Sequence, residues 1–415
     1  MTDPSRADVA DHPVTRDAAL ARLNAFVPLA GAAYAKGRNA DHGTGQHDSV
    51  SRLSAALRRR SVTEIDVLTP VLAQHGHDAA AFVNEVFWRT YFKGWLEARP
   101  DTWHAMLRAL AALDSQLLRD DALAKRHAAA LCGQTGIDCF DHWMGELEQT
   151  GYLHNWARMQ FASIWIFTLG LPWELGARAM FVRLIDADPA SNTLSWRWVA
   201  GLHTRGKAYL ADAALIAQVT GGRFAPVGLA TKAAIPDEPL PPAAIPPRDV
   251  VEPAPDAPTL LWITPDDCAL ETEPALASLM VRAVVIVDAS GDPAGGGARA
   301  DRAALDDALA RAAGHWNVAA FRIPDAGAIA ALAQEIGAAQ VVTSRVAVGP
   351  GLDALDRART ALDAAGIGLA EHLRAWDAAA WPHATRGYYA LRKTIPQLLG
   401  VAGLSVLPPP GEPLP

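Results

Sequence analysis

Apolar positions recur three and four residues apart through AAAFVNEVFWRTYFKGWLEA (79–98) and NWARMQFASIWIFTLG (155–170), the period of helices with a buried face. Alternating strand-type runs are scarce before residue 233, so residues 1–232 are expected to form an almost all-α domain. The texture changes after residue 258. Short apolar runs, TLLWI, AVVIVDA, VAAFRIP and AQVVTS, alternate there with alanine-rich amphipathic stretches such as DRAALDDALARAAGHW and LDALDRARTALDAAG. This alternation predicts a smaller, Rossmann-like α/β domain over 259–415, with a mostly parallel sheet covered by helices. The stretch between them, AAIPDEPLPPAAIPPRDVVEPAPDAP (233–258), is too rich in proline for a helix or a central strand and predicts an extended linker.

With 50% apolar and 20% charged residues, the 415-residue chain has the composition of a folded protein. Cys132, Cys139 and Cys268 form no CxxC pair, so neither a disulfide framework nor a four-cysteine metal site is expected. The opening MTDPSRADVADHPVTRD lacks the basic start and apolar core of a signal peptide, and no apolar run reaches membrane-spanning length; a cytoplasmic protein is the expectation. Residues 1–232 carry 24 Lys and Arg against 23 Asp and Glu, a balance of +1, whereas 233–415 carry 13 against 22, or −9. The second half offers an acidic surface suited to a protein partner. No GxGxxG or GxxxxGK[ST] loop accompanies the α/β pattern, and the HxH of QHGHD (74–78) has no partner motif, so neither a nucleotide loop nor a metal site is expected.

Nine of the thirteen tryptophans precede the linker, and an indole N–H that needs a partner suits the wall of a pocket for a flat aromatic group as well as a helical core. In GYLHNWARM (151–159), Asn155 and Arg158 share a helix face, with His154 and Met159 beside them. His42 and His47 are further polar pocket candidates. In DADPASNTLSWRWVAG (186–201), Asp186 and Asp188 could act as acid and base, bind a metal, accept hydrogen bonds from a cofactor, or cap a helix. Upstream, HDSVSRLSAALRRRSVTE (47–64) sets Ser49, Ser51 and Ser54 beside Arg52 and Arg58–Arg60, a pattern for phosphate at a helix start or for an N-cap with a solvated basic face.

Taken in order, these segments resemble the FAD-binding helical domain of the cryptochrome/photolyase family over roughly residues 20–210. Tyr34, Arg38 and Asn39 followed by SRLSAAL (51–57) are similar to the family's Tyr and Arg before TSxLSPYL. NEVFWRTYF (84–92) resembles ELxWRxFY, GQTGIDCFDHWMGEL (133–147) resembles GxTGxPxVDAxMREL, GYLHNWARM resembles GYMHNRxRM, and DADPASNTLSWRW resembles DxDxAxNxxxWQW. The resemblance implies that Tyr34, Ser51, Leu53, Ser54, Trp88, Asn155, Arg158, Asp186, Asp188 and Asn192 hold FAD, with Asn192 near the reactive edge of the ring. It implies a photolyase-like flavoprotein in which light drives an electron from reduced FAD to pyrimidine dimers in DNA. The alternative is a cryptochrome-like photoreceptor or redox sensor without repair activity. The positions of the lesion pocket are Glu85, Trp88, Met159 and Trp198; those of the electron path to the flavin are Trp196 and Trp173.

Several positions depart from the pattern. The third tryptophan of the electron path falls at Ala130, with Trp143, Trp156 and Trp165 as substitutes; an arginine usual near the lesion is Trp156; SPYL has become SAAL; and a usual glycine is Arg60. The α/β domain, normally first, comes last. TLLWITPDDCALETEPAL (259–276) resembles the family's LVWFRxDLRLxDNPAL opening, and WPHATRGYYALRK (381–393) the segment that closes that domain. A circular permutation with a degenerate antenna half is the resulting expectation. Cys268 or its neighbour replaces an arginine of that opening, which argues against a second chromophore. DNA binding would rest on a rim of Arg52, Arg58, Arg59, Arg60, Lys93 and Arg99.

Overall fold

The fold was obtained as a computed structural model that describes residues 12–288 and 295–404. The first half is helical, with α1 (Arg16–Phe26), α2 (Ala32–Gly37), α3 (Ser54–Arg58), α4 (Glu64–His75), α5 (Ala80–Glu97), α6 (Asp101–Leu117), α7 (Asp121–Leu131), α8 (Asp138–Thr150), α9 (Asn155–Ser163), α10 (Trp173–Arg183), α11 (Pro189–Val199) and α12 (Ala213–Val219). Helix starts carry their capping side chains. Thr63 and Asp66 close a capping box on α4. Asp188 accepts from the Ser191 N–H at 2.9 Å while Pro189 opens α11. Helix α9 runs on into a π-helical turn, Ile164–Thr168, that holds Trp165 in the core. The central rod is α5, whose last eight residues, Thr90–Glu97, are all buried.

The second half holds a five-stranded sheet of β1 (Thr259–Ile263), β2 (Val281–Val287), β3 (Ala319–Ile323), β4 (Gln340–Ser344) and β5 (Gly368–His372), with every pair parallel and the order β3-β2-β1-β4-β5. Side chains alternate across it. Leu261, Ile263, Val284 and Ile286 pack on α13 (Gly296–Trp316), while Leu260, Trp262, Val285 and Val341 pack on α14 (Ile329–Glu335) and α15 (Pro350–Ala364). This is the expected order of an all-α domain followed by a smaller parallel α/β domain. Among the described residues no helix is long and apolar enough to cross a membrane.

After β5 the chain leaves the sheet. Helices α16 (Ala375–Ala380), α17 (Tyr388–Arg392) and α18 (Ile395–Val401) put Trp376, Tyr388, Leu391, Ile395 and Leu398 into the same hydrophobic core as Phe87, Tyr91 and Trp95 of α5. Gly94 permits this approach, since a Cβ there would lie 2.7 Å from the Trp381 ring. The proline-rich segment is extended, as expected, and it is pinned as a strap. Arg99 donates to the Pro242 carbonyl at 3.0 Å, and the Ile245 N–H donates to the Ala98 carbonyl at 2.9 Å.

The rim expected to meet DNA is instead the joint between the halves. Arg58 donates to the Pro265 carbonyl at 2.6 Å and faces Asp266. Arg59, wholly buried, binds Asp301 and the carbonyls of Ala55, Ile185 and Gly297. Arg60 pairs with Glu64 and with Asp377 at 2.6 Å. Lys93 is buried beside them, and burial followed by repulsion from Arg60 lowers its affinity for a proton. Arg52 pairs with Asp48, and Arg99 lies over the Trp95 ring. Arginine and lysine on a helical segment read as a solvated face only when no carboxylates arrive from distant chain, and here they do.

Arg60 has φ +48°, the left-handed conformation for which the usual glycine is suited. That conformation costs roughly 1–2 kcal/mol for a residue with a Cβ, whereas breaking a buried pair costs about 3–5 kcal/mol. Arg60→Gly should therefore destabilise the protein by about 1–4 kcal/mol in urea unfolding despite relaxing the backbone. A variant more stable than the parent would mean that the strain outweighs the two carboxylate contacts.

Candidate functional site

The loop after α10 carries Asp186 back over the start of α9. Its position is fixed by the Ile185 N–H donating to the Gly151 carbonyl at 2.8 Å. There Arg158 donates from Nη2 to Asp186 at 3.0 Å and from Nε to the Leu153 carbonyl at 2.8 Å. The guanidinium keeps a donor-rich face beside a buried carboxylate, the arrangement needed to hold charge next to a flat polar ring. Asn192 donates to the Ala177 carbonyl at 2.9 Å, which fixes its side chain against α10. Asp188 is used otherwise: it caps α11 and faces Arg89 at 3.5 Å. Asn155, although one turn from Arg158, is exposed.

Around Arg158 stands a second group of buried polar side chains. Tyr34 and Leu53 are buried, and the hydroxyl oxygens of Ser49 and Ser54 are buried without a protein partner. Ser51 accepts from the Leu53 N–H at 3.4 Å. His47 contacts Glu146 at 2.8 Å and stacks on His154 at 5.7 Å; the Nδ1 of His47 and the Nε2 of His154 have no partner. His12 stacks on Tyr152 at 4.3 Å. Unpartnered buried hydroxyls and ring nitrogens are costly unless a polar ligand meets them. The sequence reading named His47 and His154, but His42 is exposed, and His12, Tyr152 and Glu146 were missed. The HN spacing in GYLHN could have drawn Tyr152 into the reading; no local pattern marks His12.

The tryptophans are sorted by their neighbours. Trp196 meets Trp165 edge to face at 6.2 Å, while Trp156 packs on Trp143 at 6.2 Å. Trp173 donates from Nε1 to Glu238 at 2.5 Å, and Ala130 is buried. Glu85 forms an ion pair with Arg38. Trp88 is covered by Tyr388 of α17, with ring centroids 3.6 Å apart and planes 11° apart. The Tyr388 hydroxyl donates to Asn84 at 2.9 Å. Trp198 packs on Tyr209 at 5.6 Å, and Met159 is half-buried. Among the described residues no cluster of ligating side chains could hold a metal ion.

Comparison with known proteins gives this helical site a class. Residues 82–226 match the family model described as the FAD binding domain of DNA photolyase. The deoxyribodipyrimidine photo-lyase of Streptomyces griseus is 35% identical over 157 residues, 38% of this chain and 33% of that protein. That of Escherichia coli is 30% identical over 212 residues, 49% of this chain and 42% of that protein. The chain thus spans less than half the length of these relatives. A class III photolyase structure from Agrobacterium tumefaciens is similar at 25% identity and TM-score 0.44, covering 53% of this chain and 45% of its own. Residues 82–226 are therefore similar to the FAD-binding domain of DNA photolyases, and FAD is the cofactor of a domain of that kind.

Burial holds the protonation of His12 down at about 3 and that of His154 at about 4, against 6.5 for an ordinary imidazole. Both rings bind protons more tightly when unfolded, so their contribution to stability is complete above pH 6.5 and is lost as the pH falls toward about 4 for His154 and about 3 for His12. Stability in urea should drop over this window by up to about 1.4 kcal/mol per pH unit for each ring. Replacing His154 with Gln should flatten the slope, and an unchanged slope would place the proton uptake elsewhere.

Proposed function

We propose that the protein is a light-driven electron-transfer flavoprotein that works as a photoreceptor or redox sensor, with its electron kept from DNA. The observation that carries this reading is the Tyr388 ring stacked on Trp88 at 3.6 Å, contact distance, on the surface where a dimer base would lie. Arg38 engages Glu85, the other pocket group, Arg59, Arg60 and Lys93 are buried inside the protein, and Arg58 is committed to the Pro265 carbonyl and Asp266. The acidic second half, at −9, is suited to a protein partner rather than to phosphates.

The residues present fit FAD. Ser49 and Ser54, hydroxyls buried without partners, suit its phosphate and ribityl oxygens, with Tyr34, Ser51 and Leu53 closing that end. Arg158 paired with Asp186 would face the isoalloxazine, and Asn192 would stand at its reactive edge. Asp188 would act through the start of α11, and Asn155 and Trp88 would bound the site. Bound FAD supplies light absorption and the capacity to accept an electron. Trp196 would deliver that electron from within the core, where water is excluded.

Dimer repair is the second reading. It is supported by the presence of Glu85, Trp88, Met159 and Trp198 together, and by the photo-lyase names of the relatives. It needs α17 to leave Trp88. The sheet order is likewise compatible with an antenna half moved to the end of the chain by permutation. However, the strand ends that would receive a second chromophore are met by Arg58 and Arg59.

Arg158→Ala should lower flavin content on purification by about tenfold or more, as expected for a lost charge-assisted hydrogen bond. Illumination of the flavin-loaded protein with dimer-containing DNA should reduce the flavin and leave the dimers intact. Restored bases would replace the sensor reading with repair.

A further inference from the structure

Light-driven electron flow needs somewhere for the positive charge to rest, and the position of the family's third tryptophan is the buried Ala130. Two further indoles, Trp165 and Trp173, are candidates to carry the charge on from Trp196. Trp165 meets it edge to face at 6.2 Å, but the Trp165 Nε1 donates to the Pro172 carbonyl at 2.9 Å. A peptide carbonyl orients that N–H without being able to take its proton. Trp173 lies one helical turn before Gly176, and the Trp196 ring packs directly on Gly176, where a Cβ would come within 2.3 Å of it. The Trp173 Nε1 donates at 2.5 Å to a carboxylate, Oε1 of Glu238. Glu238 belongs to the proline-rich strap, and its other oxygen accepts from Arg197 at 2.7 Å. The Arg197 guanidinium also stands over the Trp173 ring, 5.4 Å from its centroid.

We propose that Glu238 is the proton acceptor of Trp173 during photoreduction, so that charge separation ends at Trp173 instead of at a third tryptophan. The proposal rests on the light-driven reading above. With FAD bound as the light-driven electron acceptor, an electron lost by Trp196 would be replaced by one from the Trp173 indole. An oxidised indole is a far stronger acid than indole, and its Nε1 proton moves along the existing bond to Oε1 of Glu238. The products are a neutral indole radical and a neutral carboxylic acid. An external thiol reductant returns the electron, and Glu238 returns the proton.

Electrostatics favour the transfer. A cation over the Trp173 face opposes positive charge on the ring, and loss of the proton removes that charge. Arg197 bonds the other carboxylate oxygen and so turns Glu238 with Oε1 toward the indole. Glu238 also lines a cavity of about 270 Å³ with Leu202, Arg205 and the neighbouring strap residues, and its side chain is 24% exposed. The acceptor therefore reaches toward solvent while the indole, 2% exposed, does not.

Flash spectroscopy of the flavin-loaded protein tests this. The parent should show a neutral tryptophan radical; Glu238→Gln should show the cation form, with a lifetime shortened about tenfold, the factor of one charge-assisted hydrogen bond. The same neutral radical and lifetime in Glu238→Gln would overturn the proposal. Trp173→Phe should abolish the radical and Trp165→Phe leave it; the reverse would assign the charge to Trp165. Trp196→Phe should abolish both radicals, and if it does not, the light-driven path through Trp196 fails independently of Glu238. Without flavin or light, the indole N–H resonance of Trp173, assigned by its loss in Trp173→Phe, should move upfield in Glu238→Gln. An unmoved resonance would remove the hydrogen bond on which the proton transfer depends.

Discussion

Three consecutive arginines, Arg58, Arg59 and Arg60, hold the two halves together. Arg59 and Arg60 are buried and Arg58 is partly so, and each finds oxygen partners on chain more than 200 residues away: the Pro265 carbonyl, Asp301, and Asp377. Taking three guanidinium groups out of water is costly, and the cost is met only while every partner is in place. The interface is therefore all or nothing in character, and apolar packing alone would not impose its geometry. Fixing this short segment also fixes the serines that precede it, so the polar end of the proposed flavin site and the seat of the α/β domain share one structural element.

The same docking decides what the sheet can do. In an open parallel sheet of order 3-2-1-4-5, ligands bind beyond the carboxyl ends of the strands, where the order reverses, here between β1 and β4. Those ends meet the helical half. The Cys268 N–H donates to the Arg59 carbonyl at 2.7 Å after β1, and Arg345 pairs with Glu97 at 3.2 Å after β4. A crevice that serves as a ligand site in other proteins is here an interdomain joint.

Much of this was legible in the sequence, for physical reasons that also set the limit. Helical and strand periods are local, so the all-α half, the parallel sheet and the extended strap could be read directly. Asp188 before Pro189 declared the start of α11, and Arg158 and Asp186 could be joined through resemblance to a family. What stayed hidden is pairing across sequence. Arg58–Arg60 read as a basic face because their carboxylates lie in the other half; Trp88 read as an open stacking surface because Tyr388 is 300 positions away. His12 gave no signal, since one histidine before a helix has no spacing to betray it.

Residues contributed from beyond position 232 redirect the helical domain. Tyr388 takes the stacking face of Trp88, and Glu238 takes the indole N–H of Trp173. On the proposed reading, one contact would close the route by which an electron leaves for a flat substrate, and the other would supply a carboxylate where the tryptophan chain ends. The binding of a cofactor and the use made of it would then be held by different parts of the chain. On that reading, the proton released by Trp173 would rest on a strap joined to both halves and would couple the redox state of the core to the segment that links it to the acidic domain. That coupling is the physical requirement for a sensor, whereas repair requires an open pocket and a positive rim.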